Sequence, residues 1–265
     1  MTEETFHIEF DGSQLTITTD VDSISEFVRR TYGYMLVERA LSPVGSIDVR
    51  RTANGFALRS LEPLDLSGES SAPLMPYLKE EVIMRFMRAR PDLLWIHAGA
   101  VERNEKALLI SGASGQGKST LTTMLVHNGW RLMSDDVAPI RMNADQILPF
   151  YQAPLRRIDP GKQLSSEEVA SLERESVALS SESLRADPAE LRAVVFPMFD
   201  RRASTRLIRM AKGAGALELL RNARNMIDHK AAAVERAAQL ARSLPMFQLC
   251  YGSAADAVMA LNDVL

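Results

Sequence analysis

The sequence predicts a mixed α/β fold, with a small β-rich N-terminal region over residues 1–75 and a larger domain over 76–265. Three observations predict it. Residues 1–20 alternate apolar and polar side chains around Asp11-Gly12, as half-buried hairpin strands do, and Asn54-Gly55 marks a second hairpin. An aliphatic stretch ending at Ser111 runs straight into a glycine-rich loop, Gly112-Ala113-Ser114-Gly115-Gln116-Gly117-Lys118-Ser119. Residues 215–242 carry Ala, Leu and Arg at helical spacing.

In chain order, Phe6, Ile8 and Phe10 on one side of Asp11-Gly12, and Leu15 and Ile17 on the other, predict a first hairpin. Residues 22–38 read as a helix that Asp22 or Ser23 can cap. A second hairpin joins Ser46–Arg50 to Phe56–Arg59, where Asn54-Gly55 suits a tight turn with positive φ. The proline-bearing stretch Leu61–Pro76 marks a soft boundary. An amphipathic helix follows from Leu78 to Arg90, stopped by Pro91. Leu93–Val101 and Lys106–Ser111 predict strands joined by a polar turn, and Lys118–Asn128 a helix closed near Gly129. Residues 163–186 are serine-rich, and Ser165 with Glu168 can form a capping box. They read as a solvated helix and loop, with a lid over a substrate as the alternative.

Composition narrows the possible functions. With 46% hydrophobic and 25% charged residues, the chain has the make-up of a soluble globular protein. A net charge of −3 gives no basic excess for nucleic acid. No apolar run reaches the roughly 20 residues of a membrane helix, and the acidic start Met1-Thr2-Glu3-Glu4 is unlike a signal peptide. One cysteine, Cys250, excludes an intrachain disulfide; it is expected as a buried structural thiol in a reducing, cytoplasmic setting.

The chemistry gathers around the loop. Glycines let successive backbone N–H groups approach phosphate oxygens, and the next helix adds the positive end of its dipole. The pattern therefore predicts binding of ATP with Mg²⁺: Gly112 to Thr120 around the phosphates, Lys118 at the β- and γ-phosphates, and the Ser119 hydroxyl on the metal. Asp135 and Asp136 follow the short run Trp130–Ser134, at a strand end where phosphate-loop proteins place a carboxylate for metal or proton transfer. The competing reading is an exposed acidic turn or a helix cap. His97, on an apolar strand, reads by itself as a hydrogen-bonded core residue.

Taken together, His97 with small residues after it, the loop Gly112–Ser119, and Asn128-Gly129-Trp130-Arg131-Leu132 leading into Asp135-Asp136 resemble the HPr kinase/phosphorylase family. The core of that family is related to phosphoenolpyruvate carboxykinase. The resemblance implies that Asp136 is a general base toward a substrate hydroxyl, that Lys118 and His97 assist at the transferred phosphoryl group, and that Ser119 binds Mg²⁺. Asp135 is the candidate second metal ligand. Two features depart from the family pattern: Thr120 stands where the family has a glutamate, and Arg156-Arg157-Ile158-Asp159-Pro160-Gly161 stands in place of its later signature. The chain is accordingly more similar to divergent members that phosphorylate serine in small peptides or free serine. The expected activity is ATP-dependent phosphorylation of a serine-type hydroxyl in a protein or peptide, with Arg156 and Arg157 as candidate phosphate contacts. A small-molecule kinase, an ATPase or nucleotide switch without an acceptor, and a nucleotide-binding scaffold without turnover are the alternatives. Homo-oligomers are common in that family.

Overall fold

A computed structural model describes residues 2–61, 63–113, 115–152, 180–262 and 264. Among these, a first compact unit runs to Pro91 and a second begins at Asp92. The soft boundary expected before residue 76 therefore lies inside the first unit.

The first unit is a sheet carrying two helices. The first hairpin, β1 (Glu4–Phe10) and β2 (Ser13–Thr19), turns at Asp11 and Gly12, both at positive φ as a primed turn requires. Strands β3 (Leu36–Val37), β4 (Pro43–Thr52), β5 (Gly55–Arg59) and β6 (Leu64–Ser67) complete the order β3-β1-β2-β4-β5-β6. The parallel β2–β4 pair requires a crossover, and helix α1 (Asp22–Tyr32) supplies it. Period-two burial of Phe6, Ile8 and Phe10, matched by Leu15, Ile17, Ile47 and Val49, gives the sheet one apolar face. Helix α1 and helix α2 (Leu74–Ala89) pack there; Phe86 of α2 meets Phe10 edge-on at 5.7 Å between ring centroids.

Several local readings are corrected. Helix α1 ends at Tyr32 rather than 38, passing through a 3₁₀ turn at Gly33–Met35. Its N-cap is Val21, and Ser23 instead bonds Ser71 at 2.6 Å. Helix α2 starts four residues early because Pro76 falls in its first turn, where a missing N–H costs nothing. At the second hairpin the turn residues are Ala53 and Asn54, neither at positive φ, and Gly55 opens β5 at φ +155°. A Cβ on Gly55 would overlap the carbonyl oxygen of Leu66 in β6. Gly55→Ala is therefore expected to lower stability by about 1–3 kcal/mol, read as a lower midpoint in denaturant unfolding. An unchanged midpoint would mean that β6 yields.

The second unit is built on a nine-stranded sheet. Strands β7 (Leu93–Ile96), β8 (Ala98–Arg103) and β9 (Lys106–Ser111) lead to helix α3 (Lys118–His127), then β10 (Arg131–Ser134), β11 (Ala138–Arg141) and β12 (Gln146–Ile147). After the undescribed stretch come β13 (Ala189–Phe199), β14 (Arg206–Arg209), helices α4 (Lys212–Arg221), α5 (Met226–His229) and α6 (Ala231–Ser243), β15 (Met246–Tyr251) and α7 (Ala254–Asn262). The capping box at Ser165 and Glu168, most of the serine-rich stretch, and Arg156 and Arg157 lie outside the described residues.

β8 is antiparallel to both β9 and β10, while β13 is parallel to β9 and to β15. It follows that β10, β9, β13 and β15 all run the same way, so their carboxyl ends share one edge of the sheet. Both faces are covered. Leu108, Ile110, Val195 and Leu249 meet Leu121 and Leu125 of α3 and Val258 of α7. On the opposite face Leu109, Ala107 and Val194 meet Leu219 of α4 and Ala237 and Leu240 of α6. Such two-sided burial explains the near-continuous aliphatic runs at 93–101 and 106–111. Cys250 is half-buried rather than buried, because along β15 it alternates with the core residues Leu249 and Tyr251. No described helix is long and apolar enough to cross a membrane.

Candidate active site

The glycine-rich sequence occupies a strand–loop–helix junction at the shared carboxyl edge, where open α/β sheets place their ligands. Gly112, Gly115 and Gly117 take φ of +155°, +85° and +89°, values that side-chain-bearing residues rarely adopt. Gly117 caps α3 in the left-handed region and supplies no side-chain acceptor, so no side-chain cap competes for the first-turn N–H groups. Lys118, in the first turn, is 6% exposed and its ammonium donates to the carbonyls of Gly112 (2.7 Å) and Ala113 (3.1 Å). Ser119 is half-buried and Thr120 exposed in the same turn. Ala113, Gly115 and Gln116 complete the described loop; Ser114 lies outside the described residues. The far end of α3 is fixed by a Schellman closure: Trp130 N–H bonds Leu125 O at 3.1 Å, Gly129 N–H bonds Val126 O at 3.1 Å, and Gly129 sits at φ +85°.

The strand predicted over Leu93–Val101 breaks at His97. Its first half pairs with β11 and its second with β9 and β10, and two carbonyls from elsewhere hold the break. His97 N–H donates to Asn222 O at 2.7 Å, and Ala98 N–H to Asp136 O at 3.1 Å. His97 Nδ1 lies 3.0 Å from the Asp136 carbonyl oxygen and 3.3 Å from its Oδ1. A carbonyl oxygen can only accept, so Nδ1 carries the proton and donates to it. The two side chains are about a quarter exposed, 26% and 28%. His97 is thus hydrogen-bonded, as expected, but it sits part-exposed at the break between two strands rather than in the core, and its bond is to the candidate base.

Register brings this pair to the loop. Ala98, the residue after His97, is paired with Ser111, the residue before Gly112. Asp135 is 5% exposed, and its backbone faces the site where Gly99 of β8 packs on Thr122 of α3; a Cβ there would overlap the Thr122 hydroxyl. The structure therefore brings His97 together with Asp136, and Lys118 together with the loop carbonyls. No cluster of three or more metal-ligating side chains occurs among the described residues. Mg²⁺ keeps several waters and takes one or two protein oxygens plus phosphate oxygens, so it would not need such a cluster. Ser119 and one of the paired aspartates would hold it.

Sequence reasoning missed two aromatic residues beside the loop. Tyr251, at the end of β15, is buried and its hydroxyl donates to Gly117 O at 3.4 Å; burial pushes this phenol up to about 12, so it stays a donor at neutral pH. Phe199, at the end of β13, lies against Tyr251 with 5.4 Å between ring centroids.

No protein-family model matches the chain, and no curated protein matches it. Among solved structures, the Hpr(Ser) kinase/phosphatase from Coxiella burnetii aligns over 63% of this chain and 91% of its own, at 12% identity and a TM-score of 0.30. A likeness of that degree carries no argument about activity, and the site stands on its own geometry.

Proposed function

We propose that the second unit is an ATP- and Mg²⁺-dependent phosphotransferase that moves the γ-phosphate to a serine-type hydroxyl of a protein or peptide. The observation that supports this reading is the His97–Asp136 contact just before β8, whose first residue, Ala98, pairs with Ser111 ahead of the loop bearing Lys118. A nucleotide-binding switch uses one carboxylate for its metal; a second carboxylate, with a histidine 3.3 Å from it, supplies the base that an acceptor hydroxyl requires. In the proposed step the acceptor oxygen bonds to the γ-phosphorus and the bond to the β–γ bridging oxygen breaks. The hydroxyl proton passes to Asp136, and ADP leaves. The loop N–H groups, the α3 dipole and Lys118 stabilise charge on the transferring group. His97 orients Asp136 through Nδ1. Bound Mg²⁺ would neutralise charge on the β- and γ-oxygens.

The test is incubation of the full chain with γ-labelled ATP, Mg²⁺ and serine-bearing peptides or free serine. Label in a peptide supports the reading and label in free serine makes it a small-molecule kinase; label released only as inorganic phosphate overturns it in favour of an ATPase. Ser119→Ala is expected to raise the Mg²⁺ concentration for half-maximal turnover several-fold, since the helix keeps its backbone donors and loses one metal oxygen. An unchanged Mg²⁺ requirement would remove the hydroxyl from the metal site.

A further inference from the structure

The groups assigned to chemistry all lie on one side of the phosphate loop. His97 immediately precedes β8, and Asp135 and Asp136 follow β10; both strands are on the same side of β9 in the sheet order β10-β8-β9-β13. A nucleoside triphosphate is elongated, with its reactive phosphate at one end and its base at the other. If the γ-phosphate meets the β8–β10 side, the base extends toward β13 and β15. Those strands end in Phe199 and Tyr251, which are paired in register.

The ends of β13 and β15 are built to present a ring rather than bury one. Phe199 is 44% exposed although it closes a core strand, while Tyr251 beneath it is 1% exposed. A Cβ placed on Gly117 would overlap the Tyr251 hydroxyl and lie 3.6 Å from Phe199 Cβ, so the ring begins directly beside the loop. The turn after Phe199 is held firmly. Asp200 N–H bonds Tyr251 O at 3.0 Å, Ala203 N–H bonds Asp200 O at 2.8 Å, and Arg202 N–H bonds Asp200 Oδ1 at 2.9 Å. Gly252 packs under this turn, where an added Cβ would come within 2.7 Å of Ala203 O and 2.9 Å of Asp200 O. An exposed aromatic ring on a fixed backbone offers a stacking face at small entropic cost.

We infer that Phe199, backed by Tyr251, is the platform on which the nucleobase stacks. This rests on the phosphate-loop reading given above and supplies the half of the ligand site which that reading leaves open. Stacking of a base on an aromatic side chain tolerates any base, so the platform favours nucleotides over bare phosphates without choosing strongly among purines.

The experiment compares calorimetric binding of ATP and inorganic tripolyphosphate, each with Mg²⁺, to the parent chain, Phe199→Ala and Phe199→Trp. The expected result is about a tenfold loss of ATP affinity in Phe199→Ala, unchanged tripolyphosphate affinity, and ATP affinity restored in Phe199→Trp. Phe199 is nearly half exposed, so truncation leaves the core intact, and a parental melting temperature checks this. Parental ATP affinity in Phe199→Ala, including the case where only transfer to an acceptor falls, overturns the platform and leaves the loop assignment standing. A parent that binds neither ligand overturns the loop assignment itself.

Discussion

Asp136→Asn is expected to lower single-turnover transfer of the γ-phosphate by about a hundred- to ten-thousand-fold, the usual cost of losing a positioned base, or roughly 3 to 5 kcal/mol on the barrier. ATP affinity should stay near the parental value, because the residue lies beyond the end of β10 and the loop and α3 are untouched. Asparagine matches the size of the side chain, so the backbone carbonyl that accepts from Ala98 N–H and His97 Nδ1 stays in place. Its amide oxygen can still face His97 but cannot take a proton from a hydroxyl. Asp135→Asn should behave differently, with part of its defect recovered at high Mg²⁺. Near-parental transfer by Asp136→Asn in a folded protein that binds ATP would remove this carboxylate from the mechanism.

The contrast between the two halves of the site shows which parts of it a sequence can express. Gly112 to Ser119 is legible because its geometry is local: each glycine answers a φ requirement within a few residues, and the helix start follows immediately. The hairpin at Asp11-Gly12 is legible for the same reason. The closure of α3 is equally local, since Gly129 and Trp130 bond back to the preceding turn. The break at His97 is different. Between Leu93 and Val101 no proline or turn pair marks a break; the chain divides at His97 because carbonyls from Asn222 and Asp136, 125 and 38 residues away, capture the N–H groups of His97 and Ala98. Phe199 and Tyr251 were hidden in the same way. Each closes an apolar strand, and only the parallel pairing of β9 with β13 and β13 with β15 brings both ends beside Gly117. Asp136 lies between these cases. Its distance along the chain from Lys118 marks it, but the histidine that bonds its carbonyl is brought there by the fold.

Lys118→Ala is expected to weaken ATP binding by about ten- to a hundred-fold, since a hydrogen bond to a charged group contributes about 1.5–3 kcal/mol. Adenosine affinity should be unchanged, because the ammonium is assigned to the β- and γ-phosphates and not to the base. The ammonium is now held by the Gly112 and Ala113 carbonyls, at 2.7 and 3.1 Å, in a nearly buried position. That arrangement gives the lysine a second role as a staple for the loop, and a variant lacking it can lose affinity through a disordered loop alone. Two measurements separate the roles. A staple acts on the loop whatever the ligand's length, so its loss weakens AMP and ATP by the same factor; loss of a β- and γ-phosphate contact spares AMP. Salt dependence gives the second criterion: removing a direct charge contact flattens the fall of ATP affinity with ionic strength, while loosening of the loop leaves the slope as it was. ATP affinity equal to the parent's in folded Lys118→Ala would show that the loop does not cradle a triphosphate, and Asp136 and His97 would then need another ligand.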